Sequence, residues 1–155
     1  MSKIKFITKN QKHISAPFHP MMASNTIKAI ISYDEEDFDN SVLDNSIPLE
    51  VNDNILNLII QYCEYYYNNN SSEQDNTNFD NNFIKMDDKI LFDLIIAANY
   101  LEINPLLELG CKTVADYIKS CSTPKDIRHR FGITNDFTPE EEEEIIKENA
   151  WCQEN

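Results

Sequence analysis

The sequence predicts an α+β fold in which a small sheet comes first and helices follow. Two observations support this prediction. Apolar and polar residues alternate in three short stretches near the N-terminus, which is typical of half-buried strands. Beyond residue 53, apolar residues recur at intervals of three and four, which is typical of amphipathic helices. The chain has 155 residues, of which 41% are hydrophobic, and this is enough for one compact domain with an appendage.

The sheet is expected to have three short strands. Residues 3–8 and 13–18 flank a polar turn, so together they predict a β-hairpin. Residues 47–51 alternate in the same way and predict the third strand.

A short helix is predicted between the hairpin and the third strand. Ser24 or Asn25 can cap its N-terminus. Its apolar residues Ile27, Ile30 and Ile31 are spaced for one buried face.

Two segments are predicted to be loops. Residues 34–46 are rich in acidic side chains, and residues 68–82 are polar, repetitive and almost without apolar residues. Residues 68–82 cannot offset the entropy cost of becoming ordered by burying apolar surface, so we expect this loop to be flexible.

Five further helix starts are marked by capping residues. Asp53 and Asp87 each precede an apolar stripe at helical spacing, and Asn104 is followed by Pro105 at the first helical position. Thr123-Pro124 and Thr138-Pro139 repeat this design, each with an acid two residues after the proline.

The C-terminal segment begins two short helices rather than a disordered acidic tail. Glu140, Glu141 and Glu142 fall in a first helical turn, where the helix dipole favours negative charge. The 30 or so residues of this segment carry too few apolar side chains for a core of their own. They must therefore pack on the main domain or on another protein.

Composition excludes several classes of partner. The net charge is -14, which repels nucleic acid and anionic membrane surfaces, so neither is expected as a partner. No apolar stretch is long enough to span a membrane, and we expect a soluble protein of the cytoplasm and nucleus. The cysteines form no Cys-x-x-Cys pair and are expected to be reduced thiols; they are Cys63, Cys111, Cys121 and Cys152.

The sequence gives no sign of catalysis, a metal or a cofactor. Gly110 and Gly132 are the only glycines, so no glycine-rich phosphate loop or nucleophile elbow can be built. The three histidines are too dispersed for a zinc motif, although His19 and Cys63 could meet in the fold. We therefore expect a binding protein and not an enzyme.

Two strings of residues resemble a known family. The segment "AANYL" (97–101) and the segment "NDFTPEEEEEIIKENAWC" (135–152) closely resemble the S-phase kinase-associated protein one family, the adaptors of SCF ubiquitin ligases. The likeness covers nearly the whole chain outside the two predicted loops. It implies a BTB/POZ fold, a small three-stranded sheet with surrounding helices, over residues 1–120. Residues 121–155 would then form a helical extension that binds F-box proteins.

The resemblance also implies partners and site residues. The family joins a cullin to an F-box protein, and Asn99 and Tyr100 match its cullin-binding positions; the alternative is that Tyr100 packs inside the domain. The positions that match its F-box contacts have intramolecular packing as their alternative; they are Leu107, Cys111, Val114, Ile118, Phe131, Ile133, Phe137, Ile146, Asn149 and Trp151.

Three further expectations follow from the resemblance. Pro139 matches a proline that is hydroxylated and glycosylated in some members, although its place at a helix start is explained equally by capping. The resemblance also implies that the protein can form a homodimer when no partner is bound. Alternatives to the adaptor role are a viral or parasite decoy that binds one partner only, and a self-associating BTB scaffold without a ligase role.

Overall fold

The computed structural model describes residues 2–31, 45–68 and 72–153. The chain divides into two compact units, Met1–Asp116 and Tyr117–Asn155, which we call unit 1 and unit 2. The division falls a few residues before the boundary predicted at residue 120. Most of the acidic loop predicted over residues 34–46 lies outside the described residues.

Unit 1 contains a three-stranded sheet, as predicted. The central strand β1 (Lys3–Ile7) pairs antiparallel with β2 (His13–Pro17) and parallel with β3 (Ser46–Pro48). Ile4 and Phe6 of β1 are fully buried, because alternate side chains of a strand point to the same face. The predicted hairpin is therefore confirmed.

The third strand is shorter than predicted, although its alternating pattern of burial continues past its end. Leu49 and Val51 are both buried. The Leu49 amide donates to the Ile7 carbonyl at 2.9 Å, and the Lys9 amide donates to the Val51 carbonyl at 2.9 Å. The chain thus stays beside β1 without the continuous pairing of a regular strand.

Two short helices, α1 (Phe18–Met21) and α2 (Asn25–Ile30), follow the hairpin. Ser24 caps α2, since its hydroxyl oxygen accepts a hydrogen bond from the Ile27 amide. Ile27 and Ile31 are buried, but Ile30 is about half exposed. The prediction that Ile30 shares the buried face was wrong, because Ile27 and Ile31 lie one helical turn apart and already fill that face.

The two long helices of the core are α3 (Asp53–Asn68) and α5 (Asp88–Tyr100). Asp53 lies in the first turn of α3, where it forms an ion pair with Lys12 and accepts a hydrogen bond from the Asn10 side chain at 2.6 Å. These two contacts, that of Lys12 first, hold the pKa of Asp53 below its usual value. Asp87 occupies the N-cap position of α5 without a side-chain capping bond.

The prediction of a flexible loop over residues 68–82 was wrong, because most of this segment belongs to a helix, α4 (Glu73–Phe83). Ser72 caps this helix, because its hydroxyl oxygen accepts a hydrogen bond from the Asp75 amide at 3.2 Å. Residues 69–71 lie outside the described ranges.

Aromatic packing explains why α4 forms in so polar a segment. Phe79 and Phe83 lie four residues apart, on one face of the helix, and both contact tyrosines of α3. The ring of Phe79 stacks on Tyr65 with centroids 3.6 Å apart, and the Tyr66 hydroxyl donates to Asp80 at 2.7 Å. The number of apolar residues in this segment does not reveal the helix, because two aromatic rings bury much more surface than their number suggests.

Helix α6 (Asn104–Ser120) runs from unit 1 into unit 2. Unit 2 continues with α7 (Pro124–Phe131), α8 (Pro139–Glu148) and a 3-10 helical turn over Ala150–Gln153. Both predicted N-termini are confirmed: Thr123 and Thr138 each form a capping box with the acid three residues later. Gly132 ends α7 with a φ of 64°, a conformation that glycine adopts without steric cost.

Unit 2 is held together by polar and aromatic contacts rather than by a core. The Arg128 guanidinium donates to Glu142 at 2.8 Å, which links α7 to α8. The Arg130 guanidinium lies 3.9 Å from the centroid of the Tyr117 ring, a cation–π geometry. None of the residues described in unit 2 is buried.

Candidate functional site

Asn99 and Tyr100 form the last turn of α5, and both are exposed. Tyr100 keeps 39% of its surface accessible. Its ring is therefore not enclosed in the core of unit 1, which was the alternative to a binding role.

The chain that follows Tyr100 is fixed by hydrogen bonds to the start of α2. The Thr26 hydroxyl donates to the Tyr100 carbonyl at 2.8 Å, and the Ser24 hydroxyl donates to the Leu101 carbonyl. At the end of the helix, the Ile103 amide donates a hydrogen bond to the Ala98 carbonyl at 2.9 Å. The last carbonyls of a helix have no partners within it, so these bonds hold the candidate cullin-binding residues in place.

A second apolar stripe on α5 extends this surface. Phe92, Ile96 and Tyr100 lie at positions i, i+4 and i+8 and are all exposed, Ile96 by 67%. A shallow cavity of about 240 Å³ lies beside Ile96 and Tyr100, with Lys9 and Asp93 at its wall. Sequence reasoning missed Phe92 and Ile96, although apolar residues on two faces of one helix were the signal for them.

On α6, the residues predicted to bind an F-box protein do not face the core. The buried residues of this helix are Leu106 and Gly110. The predicted stripe is at least partly accessible along its length: Leu107 and Val114 are intermediate in burial, and Cys111 and Ile118 are exposed. A Cβ on Gly110 would lie 2.5 Å from Cγ1 of Ile95, so this helix packs closely against α5.

In unit 2, the predicted F-box-binding residues are exposed or partly exposed. Trp151 is 72% accessible and lies in the 3-10 helical turn that follows α8. Phe131 is intermediate in burial, and exposed members of the set are Ile133, Phe137, Ile146 and Asn149. Ile145, which was not predicted, is also exposed. Asn149 has an additional structural role, because its side-chain amide donates to the Ile145 carbonyl at 2.8 Å.

Pro139 is exposed at the first position of α8, directly after the cap residue Thr138. A proline here costs no hydrogen bond, because the amide it lacks would have no partner in the helix. Its hydroxylation stays a prediction.

The described residues contain no cluster of three or more side chains suited to a metal ion. His19 and Cys63 do line one cavity, as the sequence suggested they could. Burial raises the pKa of the Cys63 thiol to about 12. No helix in the described ranges combines the length and apolarity needed to cross a membrane.

Comparisons with known proteins match both parts of the chain. The tetramerisation domain of the Skp1 family matches residues 2–68, and the dimerisation domain of the same family matches residues 104–152. The sheet with surrounding helices is thus the POZ-type fold that the resemblance implied, and that prediction is confirmed.

Similar proteins occur in distant eukaryotes. The chain is 41% identical to the SCF ubiquitin ligase complex protein SKP1a of Dictyostelium discoideum, over 99% of this chain and 97% of that protein. It is 37% identical to the suppressor of kinetochore protein 1 of Schizosaccharomyces pombe, over 99% of both chains. It is 39% identical to a Skp1-related protein of Caenorhabditis elegans, over 97% of this chain. Two matching domains and near-complete coverage show that this chain belongs to the Skp1 family.

Proposed function

We propose that this protein is the adaptor subunit of an SCF-type ubiquitin ligase, which joins a cullin scaffold to F-box proteins that carry substrates. The observation that supports this most strongly is a pair of exposed apolar surfaces, one on each unit. We call the set Phe92, Ile96, Asn99 and Tyr100 the α5 surface. We call the set Ile133, Phe137, Ile145, Ile146 and Trp151 the α8 surface.

The α5 surface has the features of a preformed docking site for a cullin. Three apolar side chains project from one face of a helix whose opposite face is buried, so the backbone beneath them is rigid. Exposed apolar side chains grouped in this way favour association with another protein. Asn99 and Tyr100 occupy the cullin-binding positions of the family, and Tyr100 is a residue type enriched in binding hot spots.

The α8 surface has the features of a site for an F-box helix. Its five large apolar side chains are each at least 40% exposed, and none of the described residues of unit 2 is buried. A helical segment of this kind gains its apolar burial when a partner helix packs on it. Trp151 is the expected anchor, since tryptophan is the residue type most enriched in hot spots.

The names of relatives agree with this role. The Dictyostelium protein is named as a component of an SCF ubiquitin ligase complex, and a fungal relative that is 42% identical is named as a subunit of an SCF complex. We propose the same assembly for this chain, in the cytoplasm and nucleus, with a binding role and no catalytic step of its own.

Capture experiments with two purified partners test the proposal. The full chain is immobilised and offered a cullin N-terminal domain or an F-box domain. The double variant Asn99→Lys/Tyr100→Lys is expected to lose cullin capture and keep F-box capture, because two ammonium groups cannot be desolvated in an apolar contact. Trp151→Ala is expected to weaken F-box binding about 30-fold and leave cullin binding unchanged.

Matched controls separate these effects from general damage. Asn81→Lys places a lysine on an exposed position of α4, and Ile30→Ala removes an exposed isoleucine of α2. Both are expected to bind each partner like the wild type. Capture of only one partner by the wild type would support a decoy, and capture of neither, with self-association, would support a plain BTB scaffold.

A further inference from the structure

Unit 1 contains a cavity whose lining residues are separate from the α5 surface. It has a volume of about 540 Å³ and lies among the turn between α1 and α2, the C-terminal half of α3 and the start of α6. Cavities that hold small ligands usually measure about 300–1,000 Å³. The volume therefore suits one small molecule, and no residue of the cavity wall takes part in the function proposed above.

The inner wall of the cavity is apolar and uncharged. Tyr62 and Cys63 are buried, and Tyr66 lies beside them on α3. Burial raises the pKa of Cys63 to about 12 and raises the pKa of both tyrosines above its usual value. At neutral pH these groups are a thiol and two phenols, which suit the body of an apolar or aromatic molecule.

The wall is also braced from behind by α4. Tyr62 contacts Phe83, with ring centroids 5.5 Å apart, and the Tyr66 hydroxyl donates to Asp80 at 2.7 Å. These contacts, made with residues that are not among the described lining of the cavity, fix the two rings. A wall that is fixed before a ligand arrives loses little conformational entropy on binding.

Among the described residues, the outer wall of the cavity carries positive but no negative charge. Lys28 lines the cavity together with His19, whose ring is stacked on Tyr67 with planes 8° apart. No aspartate or glutamate is among the described lining residues. The chain as a whole has 27 acidic and 13 basic side chains, so a described lining with a lysine and no carboxylate differs from the average composition of the chain.

We propose that this cavity binds a small amphipathic acid, with an aromatic or aliphatic body against Tyr62, Cys63 and Tyr66 and a single carboxylate paired with Lys28. A carboxylate at the edge of an apolar cavity attracts an ammonium group more strongly than it does in bulk water, because the local dielectric constant is lower. A neutral ligand of the same shape lacks this contribution.

Titration of the ¹⁵N-labelled full chain with 2-naphthoate tests the proposal. We expect saturable binding, with shifts of the amide signals of Lys28, Tyr62 and Cys63. The uncharged analogue 2-naphthamide, and the variant Lys28→Met with 2-naphthoate, are each expected to bind about tenfold more weakly. The matched control Lys89→Met, at an exposed lysine of α5, is expected to bind like the wild type.

A chemical measurement that needs no substitution tests the same proposal. Alkylation of the buried Cys63 by iodoacetamide requires local opening of unit 1 and is expected to slow when 2-naphthoate is present, while alkylation of the exposed Cys111 is unchanged. The proposal is wrong if no saturable binding occurs up to about 10 mM, or if the shifts are confined to unit 2. Equal affinity of Lys28→Met and the wild type would also overturn it.

Discussion

Unit 1 and unit 2 use the same kinds of apolar residue in opposite ways. In unit 1, Ile4, Phe6 and Leu56 are fully buried between a sheet and its helices. In unit 2, Ile146 and Trp151 are more than half exposed, and capping boxes with one Arg–Glu pair provide the local order. Unit 1 therefore has a core of its own, whereas the apolar side chains of the described part of unit 2 stay accessible; under the proposed function they are buried when a partner packs on them.

The largest expected effect comes from removing one phenylalanine in each unit. Phe6→Ala should lower the free energy of unfolding of unit 1 by about 3–5 kcal/mol, because it leaves a cavity in the core. Phe137→Ala removes a half-exposed ring from unit 2 and should cost no more than about 0.5 kcal/mol. Denaturant unfolding of both variants measures these changes. Equal losses of unfolding free energy in the two variants would contradict the proposed difference between unit 1 and unit 2.

Close packing between α5 and α6 gives the second prediction. Gly110→Ala should destabilise unit 1 by up to about 2 kcal/mol, because its new methyl group meets Ile95. Overpacking costs about 1–3 kcal/mol, and the better helix propensity of alanine offsets about 1 kcal/mol. Adding Ile95→Ala should give a smaller loss than the sum of the two single variants. Strict additivity of the two substitutions would contradict the contact.

Capping of α8 gives a third and smaller effect. Thr138→Ala removes the acceptor for the Glu141 amide and should cost about 1 kcal/mol of local helix stability. Because α8 contributes no buried residue, amide exchange in α8 should accelerate about fivefold while unfolding of unit 1 is unchanged. The control Thr77→Ala changes an exposed threonine inside α4 and should leave exchange in α8 unaltered. A shift in the unfolding of unit 1 by Thr138→Ala would count against the independence of the two units.

The smallest effect concerns pH. Lys12 and Asn10 hold the pKa of Asp53 below its ordinary value of 3.8, so the stability they provide is present above pH 3.8 and is lost as pH falls below it. The ion pair lies at the surface, with the Lys12 side chain mostly accessible, so solvent screens it. Acid unfolding of wild type and Asp53→Asn should therefore differ only slightly, with the wild type losing its small advantage in that range. A large difference at neutral pH that persists in high salt would contradict this account.

Much of the fold could be predicted from the sequence because local patterns specify it. The threonine–proline starts of α7 and α8 and the alternation of β1 each depend on a few neighbouring residues. The helix α4 could not be predicted in this way, since its order depends on Phe79 meeting Tyr65, a residue separated from it by the polar segment. Long-range packing of this kind leaves little trace in local composition.

The candidate site was partly predictable for the same reason. Resemblance to the family identified Asn99, Tyr100 and Trp151, and the structure places all three at the surface. The exposure of Phe92 and Ile96 required knowledge of which face of α5 meets the core, because both faces of that helix are apolar. The exposure of Ile30 was missed for the same reason, since its spacing alone does not show which face of α2 meets the core.

Simultaneous binding of both partners is the most direct test of the central claim, that one chain carries two independent docking surfaces. The full chain is mixed with a cullin N-terminal domain and an F-box domain, and the mass of the complex is measured by light scattering after size-exclusion chromatography. The account predicts one species whose mass equals the sum of one copy of each protein. Two binary complexes without the ternary species would contradict it.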